Sequence, residues 1–464
     1  MKFRMIMPVY NAGDYLKKAI DSIIGQTLSF RENITIHLID DASEDDSLAI
    51  CREYEKQYPK NIKVTHFEQN KGVSAVRNFG LKCSRWKLGT IVGFIDCDDY
   101  IESDALEKVQ TFFETHKDIS LAAMEIHHFG AREDEHKSNW RFKEREIVEI
   151  EKDFNFPQYY IGGVFLRRKA YKKMYFDESM NFWEDAMAVT REILNVGKYG
   201  LVRDAKYYYR KLENESSLVN RAWRNPERYT TFLEKGYGQM LEYCKRMKGK
   251  GLLYVEYLIA YHLRLFLLET NREVVMQMVP EEEMEAFKER LRAVLKKIDD
   301  KVILKMNTAL PVIEAELSIK YGKKKRAKKN YTENDLILTY KGTELARLSE
   351  RSVRVIGWLD KEGYEGMLRG RFSTPIYAMK KDDYIFAENN GERVESIRYK
   401  CKKKLYILDE LVRNYKNAGF AIDIPKDWRK LRFGIHTQDI DIMLNEIEIS
   451  PDGEISMPDE EVSE

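Results

Sequence analysis

From residue 1 to about 125, short runs rich in apolar and β-branched residues alternate with stretches in which apolar side chains recur every three or four positions. Strands are expected at 3–7, 34–39, 62–66, 91–95 and 119–124, with helices at 14–26, 45–58, 73–82 and 103–116 between them. This alternation is the pattern of a parallel sheet wound with helices, so this part is read as α/β. The stretch 131–150 is charged and weakly periodic, which predicts a surface excursion. Apolar character returns at 159–166, followed by a helix at 184–194 and a strand-like run at 206–209.

After about residue 215 helical periodicity continues to about 319 with few turn signals. A basic block, 323–329, comes next, and from Leu336 onward period-two runs dominate, most clearly at 353–358, 420–424 and 440–443. The expected organisation is an α/β domain over 1–215, a helical domain over 216–321, a basic linker over 322–335 and a β-sandwich-like domain over 336–464. The tail from Asp452 is acidic, and no internal repeat is visible.

Composition narrows the class of protein. With 464 residues and 43% hydrophobic residues the chain can bury ordinary cores. Lys and Arg number 78 against 77 Asp and Glu, a net charge of +1, so no global field points to nucleic acid as a partner. Five cysteines, Cys51, Cys83, Cys97, Cys244 and Cys401, lack the spacing of a disulfide framework or a zinc site and fit a reducing compartment. The first seven residues are broken by Pro8 too early for a signal peptide, and the apolar stretch 252–268 is interrupted by Glu256, His262 and Arg264, as a buried helix is. A cytoplasmic protein is expected.

Candidate chemistry concentrates where expected strands end. Asp96-Cys97-Asp98-Asp99 follows the apolar run 91–95, and carboxylates are too costly to bury unpaired, so they face a cation or hydroxyl groups. One or two of their oxygens suffice for Mg²⁺ or Mn²⁺ when substrate phosphates and water complete the shell; the plain alternative is an acidic turn before the next helix. Met7-Pro8-Val9-Tyr10-Asn11 ends the first strand, with Tyr10 offering a flat face for a ring. After the second strand, Ser43 or Asp45 suits a helix cap, leaving Asp41 to accept from a base N–H or a ribose hydroxyl. Asn70-Lys71-Gly72 opens a helix carrying Arg77, which can reach a diphosphate or a base, although a solvated helix charge is the plain reading. Glu184-Asp185 opens another helix behind Phe182 and Trp183, a position that favours carboxylates for dipole reasons alone.

Together Met7-Pro8-Val9-Tyr10-Asn11, Asp40-Asp41-x-Ser43, Asn70-x-Gly72-x-Ser74-x-x-Arg77-Asn78-x-Gly80, Asp96-x-Asp98-Asp99 and Glu184-Asp185 resemble, in order and approximate spacing, the motifs of family-two inverting glycosyltransferases of the GT-A fold. Ala42 stands where glycine is usual in that pattern, Cys97 where serine is common and Ser103 where proline is often found. The resemblance, over about residues 1–215, implies a nucleotide-sugar domain with a DxD-type metal site for Mn²⁺ or Mg²⁺. Pro8 and Tyr10 would border the nucleobase, Asp41 would accept its imide N–H, and Arg77 would hold base or diphosphate. Asp96 or Asp98 would bind ribose, Asp98 or Asp99 the metal, and Asp185 would be the catalytic base with Glu184 beside it as the weaker candidate.

The donor implied is a UDP-sugar giving up a hexosyl or N-acetylhexosaminyl group, and the acceptor a hydroxyl of a cell-surface glycan or polyol phosphate. The C-terminal β region faintly resembles modules of enzymes that build teichoic acids and other cell-surface polymers; polymer binding, homo-oligomer formation or scaffolding are the roles this suggests, with scaffolding or oligomer formation foremost. The basic block reads first as a solvated linker, and otherwise as a contact with anionic lipid at the inner face of a membrane or with an anionic acceptor. Two other classes fit part of the pattern: a non-catalytic carbohydrate-binding or scaffolding protein, and a sugar nucleotidyltransferase, which would need a glycine-rich basic loop directly after the first strand.

Overall fold

A strand apolar at nearly every position must be covered on both faces, and in the computed structural model β1 (Lys2–Val9) is buried from Phe3 to Val9. It pairs in parallel with β2 (Ile34–Asp40) and with β4 (Thr90–Phe94), and β2 pairs in parallel with β3 (Ile62–His66). Five more strands, β5 (Tyr100–Ile101), β6 (Leu121–Gly130), β7 (Ile147–Glu149), β8 (Val164–Leu166) and β9 (Lys198–Lys211), extend the sheet to the order β3-β2-β1-β4-β8-β6-β9-β5, with β7 also on β9. β8 runs antiparallel to both β4 and β6, so the far half of the sheet is mixed. The structure describes residues 1–84, 90–180, 182–211, 218–359, 367–425, 427–450 and 454–456.

Helices cover the sheet through regularly spaced apolar positions. Helix Gly13–Ile24 buries Leu16, Ala19, Ile20 and Ile23, one stripe at three- and four-residue spacing. Leu16, Ile20 and Ile23 each contribute roughly 1.5–3 kcal/mol by leaving water. Helix Val73–Ser84 packs against the sheet at Gly80, where a Cβ would stand 2.6 Å from Ile6 Cγ2. At Gly93 in β4 a Cβ would meet the Phe165 ring of β8 at 2.5 Å. These two glycines are set by close packing of side chains around them.

All five strands and four helices expected before residue 125 are present, with β6 running on to Gly130. The expectation of a surface excursion at 131–150 is corrected: helix Trp140–Glu144 and β7 occupy its second half. Arg141 is fully buried, its Nε donating to Ser138 O at 2.9 Å and its Nη2 to Tyr160 Oη at 2.7 Å, with Pro157 O a further acceptor. A charged stretch hid this because a guanidinium can be buried once oxygens take its protons.

The chain packs as two units, Met1–Ile259 and Ala260–Glu464. Helical residues from the stretch 216–321 fall on both sides of the division: helix Thr231–Lys248 in the first unit, helices Met284–Leu295 and Leu310–Tyr321 in the second. In the second unit the end of the basic block forms a strand, Lys328–Tyr331, antiparallel to Leu336–Tyr340. A four-stranded sheet containing Met367–Arg371, Gly419–Asp423 and Ile397–Tyr399 and a five-stranded sheet built on Tyr384–Asn389, Lys430–Thr437 and Ile440–Ile449 share one apolar core. Leu368, Phe420 and Ile422 from the first meet Ile385, Phe433, Ile435 and Ile442 from the second in that core. Asn181, the boundary expected near 215 and most of the acidic tail lie outside the described residues. Among the described residues no helix is long and apolar enough to cross a membrane.

Candidate active site

Parallel pairing brings the C-terminal ends of β3, β2, β1 and β4 to one edge, where an open α/β sheet places its ligands. Pro8 is buried in β1 at a position where the ladder with β4, which ends at Ile6 and Phe94, has already stopped. Tyr10, just beyond, is 47% exposed. The two loops after β1 and β2 are stitched together: Asn11 N–H donates to Ser43 Oγ at 3.1 Å, Glu44 N–H to Asn11 Oδ1 at 2.9 Å and Gly13 N–H to Asp45 Oδ2 at 3.0 Å. Asn11 and Ala42 take left-handed φ values of 47° and 61° to make these turns, which is the reason glycine suits position 42. Of the two expected caps, Asp45 accepts from Ser47 N–H at 2.9 Å at the start of helix Ser47–Gln57, while Ser43 serves the loop.

Asp41 is buried, and both its oxygens accept backbone N–H groups, from Lys71 and Gly72, each at 2.8 Å. Gly72 has a φ of 84°, open only to glycine at low cost. Asp41 therefore fixes the loop that opens helix Val73–Ser84.

The acidic cluster after β4 is divided by its contacts. Asp99 points inward: its Oδ2 accepts from Tyr207 Oη at 2.7 Å and its Oδ1 from Arg210 N–H at 2.8 Å, both from β9. Burial, followed by the charges of Asp98 and Asp96, holds its carboxyl well above the usual range. Asp98 stays a third exposed, its Oδ2 accepting from Arg210 Nη2 at 2.9 Å and Nε at 3.2 Å. Burial and Asp96 push its carboxyl upward against the opposing pull of Arg210. Arg210 also lies over the Tyr15 ring at 3.5 Å. Asp96, likewise a third exposed, has its backbone N–H on Tyr207 Oη at 3.1 Å.

Arg77 joins the cluster to the far acidic pair. It is buried, with Nη2 on Asp96 Oδ1 at 3.0 Å and Nη1 on Glu184 Oε1 at 3.1 Å. Burial alone would weaken its hold on the proton, but Asp96, Glu184 and Asp185 outweigh it. Its neighbour Asn78 pins the chain leading to the pair, donating to Phe176 O at 2.8 Å and accepting from Phe176 N–H at 2.9 Å. Trp183, immediately before the helix, has a φ of 65°, a strained value for a bulky residue. Asp185 is half-buried, and burial together with the Glu184 charge pushes its carboxyl up to about 7. Tyr209 completes the wall: burial and then Asp99, Asp96, Asp98 and Asp185 raise its hydroxyl.

Arg77, Asp96, Glu184 and Asp185 are thus brought together, with Asp98 beside Asp96, Asp99 turned inward beneath them, Asp41 under the adjoining loop and Pro8 and Tyr10 at the neighbouring strand end. Sequence reasoning did not single out Tyr207, Tyr209 and Arg210 of β9 as site residues, and only the strand-like run 206–209 was visible there; Asn78 was noted only as a position of the motif that carries Arg77. Among the described residues no group of three or more His, Cys, Asp or Glu could hold a metal alone. Two part-exposed carboxylates, Asp96 and Asp98, are nevertheless the hard-oxygen donors that Mg²⁺ or Mn²⁺ takes alongside phosphate oxygens, so the residues fit a divalent ion shared with a nucleotide.

The parallel strand ends, the split acidic cluster and the arginine reaching the second acidic pair agree with the GT-A fold expected from the sequence. Residues 5–175 match the family model "Glycosyl transferase family 2". The minor teichoic acid biosynthesis protein GgaA of Bacillus subtilis is 32% identical over 449 residues, covering 96% of this chain and 97% of that protein. The chain belongs to glycosyl transferase family 2. GgaB of the same organism is 33% identical over 91% of this chain, which spans 46% of GgaB. The crystal structure of S. aureus TarS has the same fold, with a TM-score of 0.62 at 16% identity over 96% of this chain and 78% of that one.

Proposed function

We propose that this enzyme moves a hexosyl or N-acetylhexosaminyl group from a UDP-sugar to a hydroxyl of a teichoic acid or related cell-surface polymer, with inversion at the anomeric carbon. The observation that supports this reading most is the Arg77 bridge from Asp96 to Glu184, which would join the leaving-group side of the reaction to the base side. The full-length similarity to a teichoic acid biosynthesis protein supports the acceptor class.

Breaking the sugar–phosphate bond builds negative charge on the departing diphosphate. Arg77 would meet that charge, and Asp98, with Asp96 beside it, would hold Mg²⁺ or Mn²⁺. The ion would supply Lewis-acid stabilisation of the diphosphate oxygens. Asp99, with both oxygens engaged by β9, positions its neighbours from below. Pro8 and Tyr10 border the base; Asp41 supports the loop beside it and has lone pairs left for the imide N–H. Asp185 takes the proton of the attacking hydroxyl, and a carboxyl held near 7 suits it to accept at neutral pH. Glu184, paired to Arg77, orients the arginine. One displacement with the base opposite the leaving group gives inversion.

Thermal shift across a panel of nucleotide sugars, with and without Mn²⁺, tests the reading. A UDP-sugar should raise the melting temperature, and more so with the ion. No stabilisation by any nucleotide sugar would refute it.

A further inference from the structure

The second unit carries a concentration of cations that the transfer reaction does not use. Arg398, Lys400, Lys402, Lys403 and Lys404 fall within seven residues that contain no acid. An open, shallow surface cavity of about 330 Å³ is lined by Arg398, Tyr399, Lys400, Lys416 and Asn417. Among the described residues none of these cations makes an ion pair, and Lys400, Lys402, Lys404 and Lys416 are exposed. The basic block at 323–329 differs: Lys324 pairs with Glu410 at 3.0 Å and Arg326 with Glu314 at 3.2 Å.

The cavity walls are fixed. Arg398 donates to the carbonyls of Lys381 and Asp383, Tyr399 Oη to Gly370 O at 2.8 Å, and Asn417 Nδ2 to Met379 O at 3.0 Å. The segments around 401 and 416 are held side by side by Cys401 N–H on Lys416 O and Tyr415 N–H on Lys403 O, both at 3.1 Å. Arg369 lies over the Tyr399 ring at 4.7 Å. Like charges crowded without counter-charges raise the free energy of the folded protein, and an anionic ligand relieves it.

We propose that this cavity and its rim bind a phosphodiester polymer, holding an anionic acceptor chain on the second unit of the enzyme. The acceptor identity rests on the transfer reading above. Cations spread along two adjacent segments match a repeating negative charge better than one phosphate. The lining offers ammonium groups, a guanidinium, a phenol and an amide, but no aliphatic side chain to insert into a bilayer, which favours a hydroxyl-rich polymer over a membrane.

The test titrates full-length protein with poly(glycerol phosphate) of defined length across a salt series, comparing wild type with Lys400→Gln/Lys416→Gln and Lys400→Arg/Lys416→Arg. The Gln variant should bind about 10- to 30-fold more weakly at low salt, and its log affinity against log salt should be shallower by about 1.4. The Arg variant should bind as wild type does, which separates charge from folding damage. All three should hydrolyse a nucleotide sugar equally. Equal polymer binding by wild type and the Gln variant overturns the proposal, as does wild-type binding to phosphatidylglycerol vesicles with none to the polymer. Hydrolysis by none of the three counts against the transfer reading alone, and the titration still decides the site.

Discussion

Replacing Asp185 by Asn removes a base while keeping its size and its hydrogen bond to Ala186 N–H, now 2.7 Å. General-base assistance is worth about 10²–10⁴-fold, so turnover should fall by that factor with donor affinity retained. The same change should stabilise the fold. The Asp185 carboxyl is raised from an ordinary 3.8 to about 7, so the folded protein holds this proton to higher pH than the unfolded chain does. Stability from this group is therefore full below about pH 4 and lost as pH rises through 7. At about 1.4 kcal/mol per pH unit the ceiling is about 4 kcal/mol. Coupling to Glu184 and solvent reaching the half-buried carboxylate bring the expected gain at pH 8 to about 1–2 kcal/mol. Steady-state kinetics, donor titration and urea unfolding at pH 5 and pH 8 check all three parts. Wild-type kcat/KM should also drop as pH falls below about 7. A variant that loses donor affinity in proportion to turnover, or whose stability follows pH as wild type does, would refute the assignment.

Asp98→Ala should weaken the response to added Mn²⁺ and donor affinity together with little effect on stability, whereas Asp99→Ala leaves the Tyr207 hydroxyl and Arg210 N–H without their acceptor and should cost about 2–4 kcal/mol in urea unfolding. Identical metal titrations for wild type and Asp98→Ala would remove that residue from the metal site. Gly80→Ala drives a methyl against Ile6 and should destabilise by about 1–3 kcal/mol, read as a lower melting temperature. Ala42→Gly relieves a φ of 61° and should stabilise by up to about 1 kcal/mol, measured the same way.

The strands β1 to β4 and the loops that leave them were legible because each is local: a buried run, then a polar turn, repeated along the first hundred residues. Lys2–Val9 announces a covered strand because after Lys2 its one polar residue is Arg4, and Gly72 announces a turn. What could not be read depends on partners far away in the chain. Arg210 and Tyr207 lie more than a hundred residues from the aspartates they hold, and an arginine in a strand reads as a solvated charge until its partner is seen. The division of the acidic cluster into an inward Asp99 and a crevice-facing Asp98 likewise comes from β9, not from the spacing of the motif. Arg141 shows the same limit in the core, where carbonyls and phenols accept what hydropathy alone counts as surface.

The central claim is a single displacement across one crevice, and the product's anomeric configuration reports it most directly. With water as slow acceptor, proton NMR of an α-linked UDP-sugar that stabilises the enzyme should show the β-anomer as the first-formed sugar, before mutarotation, and Asp185→Asn should abolish its appearance. First-formed α-anomer, or hydrolysis undiminished in Asp185→Asn, would contradict the account.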